Sequence, residues 1–155
     1  MMSSTCTELF PAPTARRDDK FLWTLKFGTT VAMLVGAGLV AWSAAIHLDL
    51  WQTGYRNIPT IGPLFLLQWI SGFLLATGIV VFRRTLPALA GAGFLLATLG
   101  GLIWSAELCL FGFHESFSAP YAGLSTAVEI SGMAVLVSAI VLRVKTVERS
   151  RPVSA

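Results

Sequence analysis

Four stretches of this chain are long and apolar enough to cross a lipid bilayer, which removes most of the folds otherwise open to 155 residues. Within hydrocarbon every peptide group has to be hydrogen-bonded inside the protein. A helix rising about 1.5 Å per residue needs roughly 20 mostly apolar residues to span the layer. The stretches run from about Phe27 to His47, Ile61 to Phe82, Leu86 to Phe111 and Tyr121 to Leu142. Their connections are short, so consecutive helices are expected as antiparallel neighbours. The fold class read from the sequence is therefore all-α, a four-helix transmembrane bundle running up-down-up-down. A polar tail over residues 1–26 precedes it and a basic tail over residues 143–155 follows. Composition agrees, because 55% hydrophobic and 12% charged residues with a mean hydropathy of +0.73 exceed what a soluble domain of this size can solvate.

Direction follows from Lys and Arg, which resist translocation. With the N-terminus inside, Arg16, Arg17, Lys20, Lys26, Arg83, Arg84, Arg143, Lys145, Arg149 and Arg151 are cytoplasmic, 10 of the 11 basic residues, and Arg56 alone is outside. Both ends are thus expected in the cytoplasm, with the protein multi-pass in the plasma (inner) membrane. The same sorting explains the net charge of +3 without nucleic acid. The first 20 residues lack the short apolar core of a cleavable signal and read as a flexible tail. Cys6 and Cys109 fall at opposite ends of the bilayer, too far apart to pair.

Trp23, Trp51, Tyr55 and Tyr121 sit where amphipathic rings meet headgroups. Pro59, Pro63, Pro87 and Pro120 stand at helix entrances, where a missing N–H costs little. Glycines recur in every span, namely Gly36, Gly38, Gly72, Gly78, Gly91, Gly93, Gly100, Gly101, Gly123 and Gly132. Helices lined this way approach closely without a hydrophobic drive, so a compact bundle is expected.

Ionisable groups inside the hydrocarbon cost about 2.5–3.5 kcal/mol each and usually face the bundle interior. The spans hold two, Glu107 and Glu129. On helical spacing Ser43 shares a face with Val40 and His47, Gln68 with Leu64, Ser71 and Gly72, and Glu129 with Ser125 and Gly132. Glu107 shares one with Gly100, Trp104, Phe111 and His114. Counting from the outer ends places Ser43, Gln68, Glu107 and Glu129 in the outer half of the bilayer. If the stripes converge they form an outward-facing ligand pocket with His47, its mouth ringed by Asp49, Arg56, His114 and Glu115. The functional reading is a site for a ligand, proton or metal. The structural reading is that Glu107 and Glu129 are protonated and bond Gln68, Ser43 or Ser131 as glue within the bundle.

His47 and His114 lie at similar depth on different helices. They could hold haem b from opposite faces, or a metal ion together with Glu107 or Glu115. No His-x-x-x-His, Glu-x-x-His or Cys-x-x-Cys spacing supports either, and ordinary interfacial roles are the main reading. Cys109 is expected to stay an unreactive thiol. The basic C-terminal tail reads as a topology anchor, with binding to acidic headgroups as the alternative. An ion pair from Arg56 to Asp49 or Glu115 would fold the loop between Asp49 and Pro63 over the bundle mouth, and a plain anchored loop fits equally.

The run IHLDLWQTGYRNIPTIGPLFLLQ, from Ile46 to Gln68, resembles a segment of small uncharacterised four-span membrane proteins of high-GC Gram-positive bacteria. The stretch from Leu110 to Glu115 is similar to the same group. The resemblance implies the four-span fold and carries over no residue role. At the level of fold alone, four spans with polar groups at one end also look like a DoxX-like bundle.

These observations favour a noncatalytic accessory subunit or partner, either of a larger envelope or respiratory membrane complex or in a homo-oligomer, given the minimal soluble portions and Gly-rich faces. The alternative is a ligand-handling protein whose outer pocket takes a quinone, lipid, haem, metal or proton. The loops offer neither a nucleophile nor a paired acid and base, which weighs against an enzyme.

Overall fold

The computed structural model describes residues 13–108 and 121–149, and every regular element among them is helical. The elements are α1 (Pro13–Thr53), a short 3-10 turn (Tyr55–Asn57), α2 (Ile61–Phe82), α3 (Thr85–Leu108) and α4 (Ala122–Arg149). All four α-helices contain a segment long and apolar enough to cross a membrane. Large side chains such as Trp42, Leu74, Leu86 and Leu96 are exposed on their flanks, an arrangement suited to contact with hydrocarbon and not with water. The chain is an all-α, multi-pass membrane protein.

Helix ends and apolar ends do not coincide. α2 occupies the expected 61–82. By contrast α1 has 41 residues, about 60 Å at 1.5 Å per residue and twice a typical hydrocarbon thickness. The tail expected as flexible up to residue 20 is helical from Pro13 on. Proline at a first helical position loses nothing, since that N–H has no intrahelical partner, and no glycine or proline interrupts the helix before Gly28. α4 likewise continues past Leu142 to Arg149. The third span, expected to reach Phe111, is described as far as Leu108; Cys109, Phe111, His114 and Glu115 lie outside the described residues.

Contacts between neighbouring helices run in opposite order along each pair. The His47 ring packs on Phe65 and Ala44 meets Gly72, so α1 and α2 are antiparallel. Gly72 also meets Phe94, and Ile79 meets Gly91. Leu95 meets Gly132, and Leu136 reaches both Gly91 and Gly36. Met33, Val40, Ile79, Leu95 and Leu136 fill the centre, each at most 1% exposed. Four glycines accept these side chains as knobs. A Cβ added at Gly132 would lie 2.5 Å from Leu95 Cδ1, and one at Gly91 2.8 Å from Ile79 Cδ1. In lipid, where apolar burial supplies little drive between helices, such close packing is what holds a bundle together.

Two turns set the helix ends. Between α2 and α3 only Arg83 and Arg84 intervene. Arg83 adopts the left-handed conformation at φ 47°, its N–H bonds the Ile79 carbonyl at 3.0 Å, and Arg143 Nη1 donates to its carbonyl at 2.7 Å. At the other end of the bundle, Ile58 N–H donates to the Tyr55 carbonyl at 3.0 Å and Gly62 N–H to the Ile58 carbonyl at 2.9 Å. This second turn lays the Tyr55 ring on Phe65, with centroids 4.9 Å apart and planes 15° from parallel, and so builds one wall of the site below.

Candidate functional site

Ser43 and His47 lie one turn apart on α1, Ser43 turned toward Glu129 of α4 and His47 toward Phe65 of α2. Both are buried. His47 Nδ1 lies 2.8 Å from the Ser43 carbonyl. A carbonyl only accepts, so Nδ1 carries the proton and, in the neutral ring, Nε2 is an acceptor. The Ser43 hydroxyl in turn donates to Glu129 Oε1 on α4 at 3.3 Å. Ser125, one turn before Glu129, donates to the same oxygen at 2.8 Å. Ser43 therefore ties the imidazole and the carboxyl into one cluster spanning the first and last helices.

Glu129 is 1% exposed, and its second oxygen, Oε2, has no hydrogen-bond partner among the described residues. Thr98 flanks the carboxyl but its hydroxyl donates to the Leu95 carbonyl at 2.9 Å. Leaving a buried polar oxygen unpaired costs about 1–3 kcal/mol, more than a single well-placed hydroxyl would need to recover.

The carboxyl borders a cavity of about 270 Å³ at the end of the bundle that holds the C-terminus of α1. Its walls are largely apolar, with Leu50, Leu64, Phe65 and Leu102 prominent, and its polar groups are His47, Tyr55, Gln68, Thr98, Ser105, Tyr121, Ser125 and Glu129. Apolar walls with a few placed polar groups are the usual composition of a small-molecule site.

Of the residues singled out in the sequence, Ser43, His47, Gln68 and Glu129 are brought together here. Glu107 is not. It is exposed, as are Gly100 and Trp104 of the same stripe, so the third stripe faces away from the cavity. The inward face of α3 is instead Ala88, Gly91, Leu95, Thr98 and Ser105. Ser105 and Glu107 are two residues apart, about 200° around the helix, so only one of them can face inward. The buried face of α3 therefore takes hydroxyls, Thr98 bonding the Leu95 carbonyl of its own helix, and leaves the carboxylate outside. Spacing is the available signal: Gly91, Thr98 and Ser105 keep a small or polar residue on one face at seven-residue intervals.

Asp49 is half-buried and Arg56 exposed, and neither lines the cavity. The ion pair expected between them is not among the contacts of the described residues. His114 and Glu115 are outside those residues, so the paired-histidine haem and the mouth they would complete lie there too. Among the described residues no group of three or more His, Cys, Asp or Glu side chains is gathered to hold a metal ion. Tyr55, Thr98, Ser105 and Tyr121 are the lining residues that the sequence reading missed as site groups; the two tyrosines had been assigned to headgroups.

Compared with protein-family models, curated proteins and solved structures, the chain matches none.

Proposed function

We propose that the bundle is a membrane-embedded binding protein for a small amphipathic organic molecule, with both chain ends in the cytoplasm and the cavity in the outer half of the plasma membrane. The observation that carries this reading is the Glu129 carboxyl, buried at the margin of a mostly apolar 270 Å³ cavity with one oxygen unbonded among the described residues. A carboxyl serving only as glue between helices would be bonded through both oxygens, because each unbonded one costs stability and gives nothing back. The volume of about 270 Å³ lies near the lower end of the range usual for small-molecule pockets.

Filling the cavity tests the reading. Gly101 lines it, and a Cβ there meets nothing within 4 Å. Gly101→Phe is expected to leave the thermal midpoint in detergent unchanged or higher while abolishing binding of small aromatic amphiphiles measured by titration calorimetry. Undiminished binding by this variant would place the ligand elsewhere.

Orientation rests on the sorting of basic residues. In a variant with both native cysteines replaced, Gly54→Cys is expected to react with a membrane-impermeant maleimide in intact cells, and Lys145→Cys only after lysis. Gly54 is suited to this because it is exposed and a side chain there meets nothing. The reverse labelling pattern would turn the cavity toward the cytoplasm.

An accessory subunit of a larger envelope or respiratory complex is the second reading. What favours it is the exposed face of α3, where Gly93 and Gly100 have open space above them and could seat a neighbouring helix. Native-size measurement after mild extraction decides it: co-migration with larger subunits supports the complex, and a monodisperse free chain removes it.

A further inference from the structure

Resting on the reading of the cavity as a ligand site, the chemical class of the ligand follows from which hydrogen-bonding groups are already used. Ser43 and Ser125 both spend their hydroxyl protons on Glu129 Oε1, and Thr98 spends its own on Leu95. Ser105 and Tyr55 are also engaged. His47 spends its N–H on the Ser43 carbonyl. Among the described residues most of the lining hydroxyls and the His47 N–H thus have partners, and with the carboxyl ionised what is left over consists of acceptors, Glu129 Oε2 and the lone pair of His47 Nε2. Only Gln68 and Tyr121 offer groups of both kinds. Among the described residues no Lys or Arg lines the cavity, so none of them answers the carboxyl with a positive charge. The walls supply aromatic rings, Phe65 stacked under Tyr55 and tilted against His47, of the kind whose faces attract cations.

We propose that the ligand is an organic ammonium ion, an amine carrying a compact apolar body, whose N–H groups bond Glu129 Oε2 and His47 Nε2 while the body lies against Phe65, Leu64 and Leu102. A ligand rich in acceptors would meet an acceptor surface and leave both sides unpaired. A ligand with no polar group would leave Oε2 as it is.

Three probes sharing one body separate the possibilities: phenylbutylamine, phenylbutanol and phenylbutyrate, titrated calorimetrically into the full-length protein in detergent micelles against empty micelles. The amine is expected to bind about tenfold or more tightly than the alcohol, as a charge-assisted hydrogen bond warrants, and the carboxylate not to bind. Glu129→Gln is expected to erase the preference for the amine while keeping alcohol affinity within about twofold. The wild-type ranking decides the matter even if that variant fails to fold. Equal binding of amine and alcohol, or tightest binding of the carboxylate, overturns the ammonium assignment and leaves the cavity reading intact. Failure of all three probes to bind overturns both.

Discussion

Gly62→Ala is expected to destabilise the bundle by about 3 kcal/mol, the upper range for overpacking, and to weaken ligand binding with it. A Cβ on Gly62 would stand 2.5 Å from the Arg56 carbonyl oxygen and 2.9 Å from that of Tyr55. Those are backbone atoms of the 3-10 turn, so no rotamer change relieves the overlap and the turn has to open. Opening it lifts Tyr55 off Phe65 and removes a cavity wall. Gly38→Ala is the matched control, since a Cβ there meets nothing within 4 Å. It is expected to be neutral or to stabilise by about 0.5–1 kcal/mol through helix propensity. Thermal unfolding of both variants in the same detergent checks the pair, and equal midpoints would show that the turn does not bear on the fold.

Glu129→Leu carries the second large effect, loss of ligand binding with no loss of stability. In the structural reading of the buried carboxyl, removing it breaks two hydrogen bonds that support the bundle and costs about 2 kcal/mol or more. The geometry argues otherwise. Only one of those bonds, from Ser43, joins different helices, and at 3.3 Å it is long. The bond from Ser125 is internal to α4. The leucine also removes an unpaired buried oxygen, and both serine hydroxyls can turn back to the carbonyl four residues earlier, as Ser71, Thr77 and Ser138 already do. An unchanged or raised midpoint with binding abolished is the expected result. A midpoint lowered by the equivalent of 2 kcal/mol would make Glu129 a structural residue.

Much of the bundle is visible in the sequence because lipid imposes one rule on every span. That rule concerns where hydrocarbon lies, not where a helix stops. It located α2 fully, yet it left residues 13–26 in a tail although nothing there opposes a helix. Helix faces are read less reliably than lengths. For Ser43, His47, Gln68 and Glu129 the polar residue is the one turned inward, and the stripes converge as spacing suggests. On α3 the charge drew the stripe to Glu107, while the inward face carries Leu95 among hydroxyls and small residues, a signal weaker than a carboxylate. Glycines divide in the same way. Gly36, Gly72, Gly91 and Gly132 receive knobs from neighbouring helices, while Gly38, Gly78, Gly93, Gly100, Gly101 and Gly123 face open space. Composition alone does not separate the two sets, because rotation about the helix axis decides them.

The hydrogen bonds around the site also bear on how the protein enters the bilayer as it is made. His47 is bonded to a carbonyl of its own helix, and Glu129 to a serine one turn earlier on its own. Each polar side chain therefore carries a partner with it before any other helix has arrived. A lone carboxyl at mid-helix raises the cost of insertion by about 2.5–3.5 kcal/mol, and Ser125 offsets part of it from within the same segment. Of the two bonds to this carboxyl only the one from Ser43 depends on another helix, so Glu129 keeps a partner within α4 whether or not α1 is packed against it.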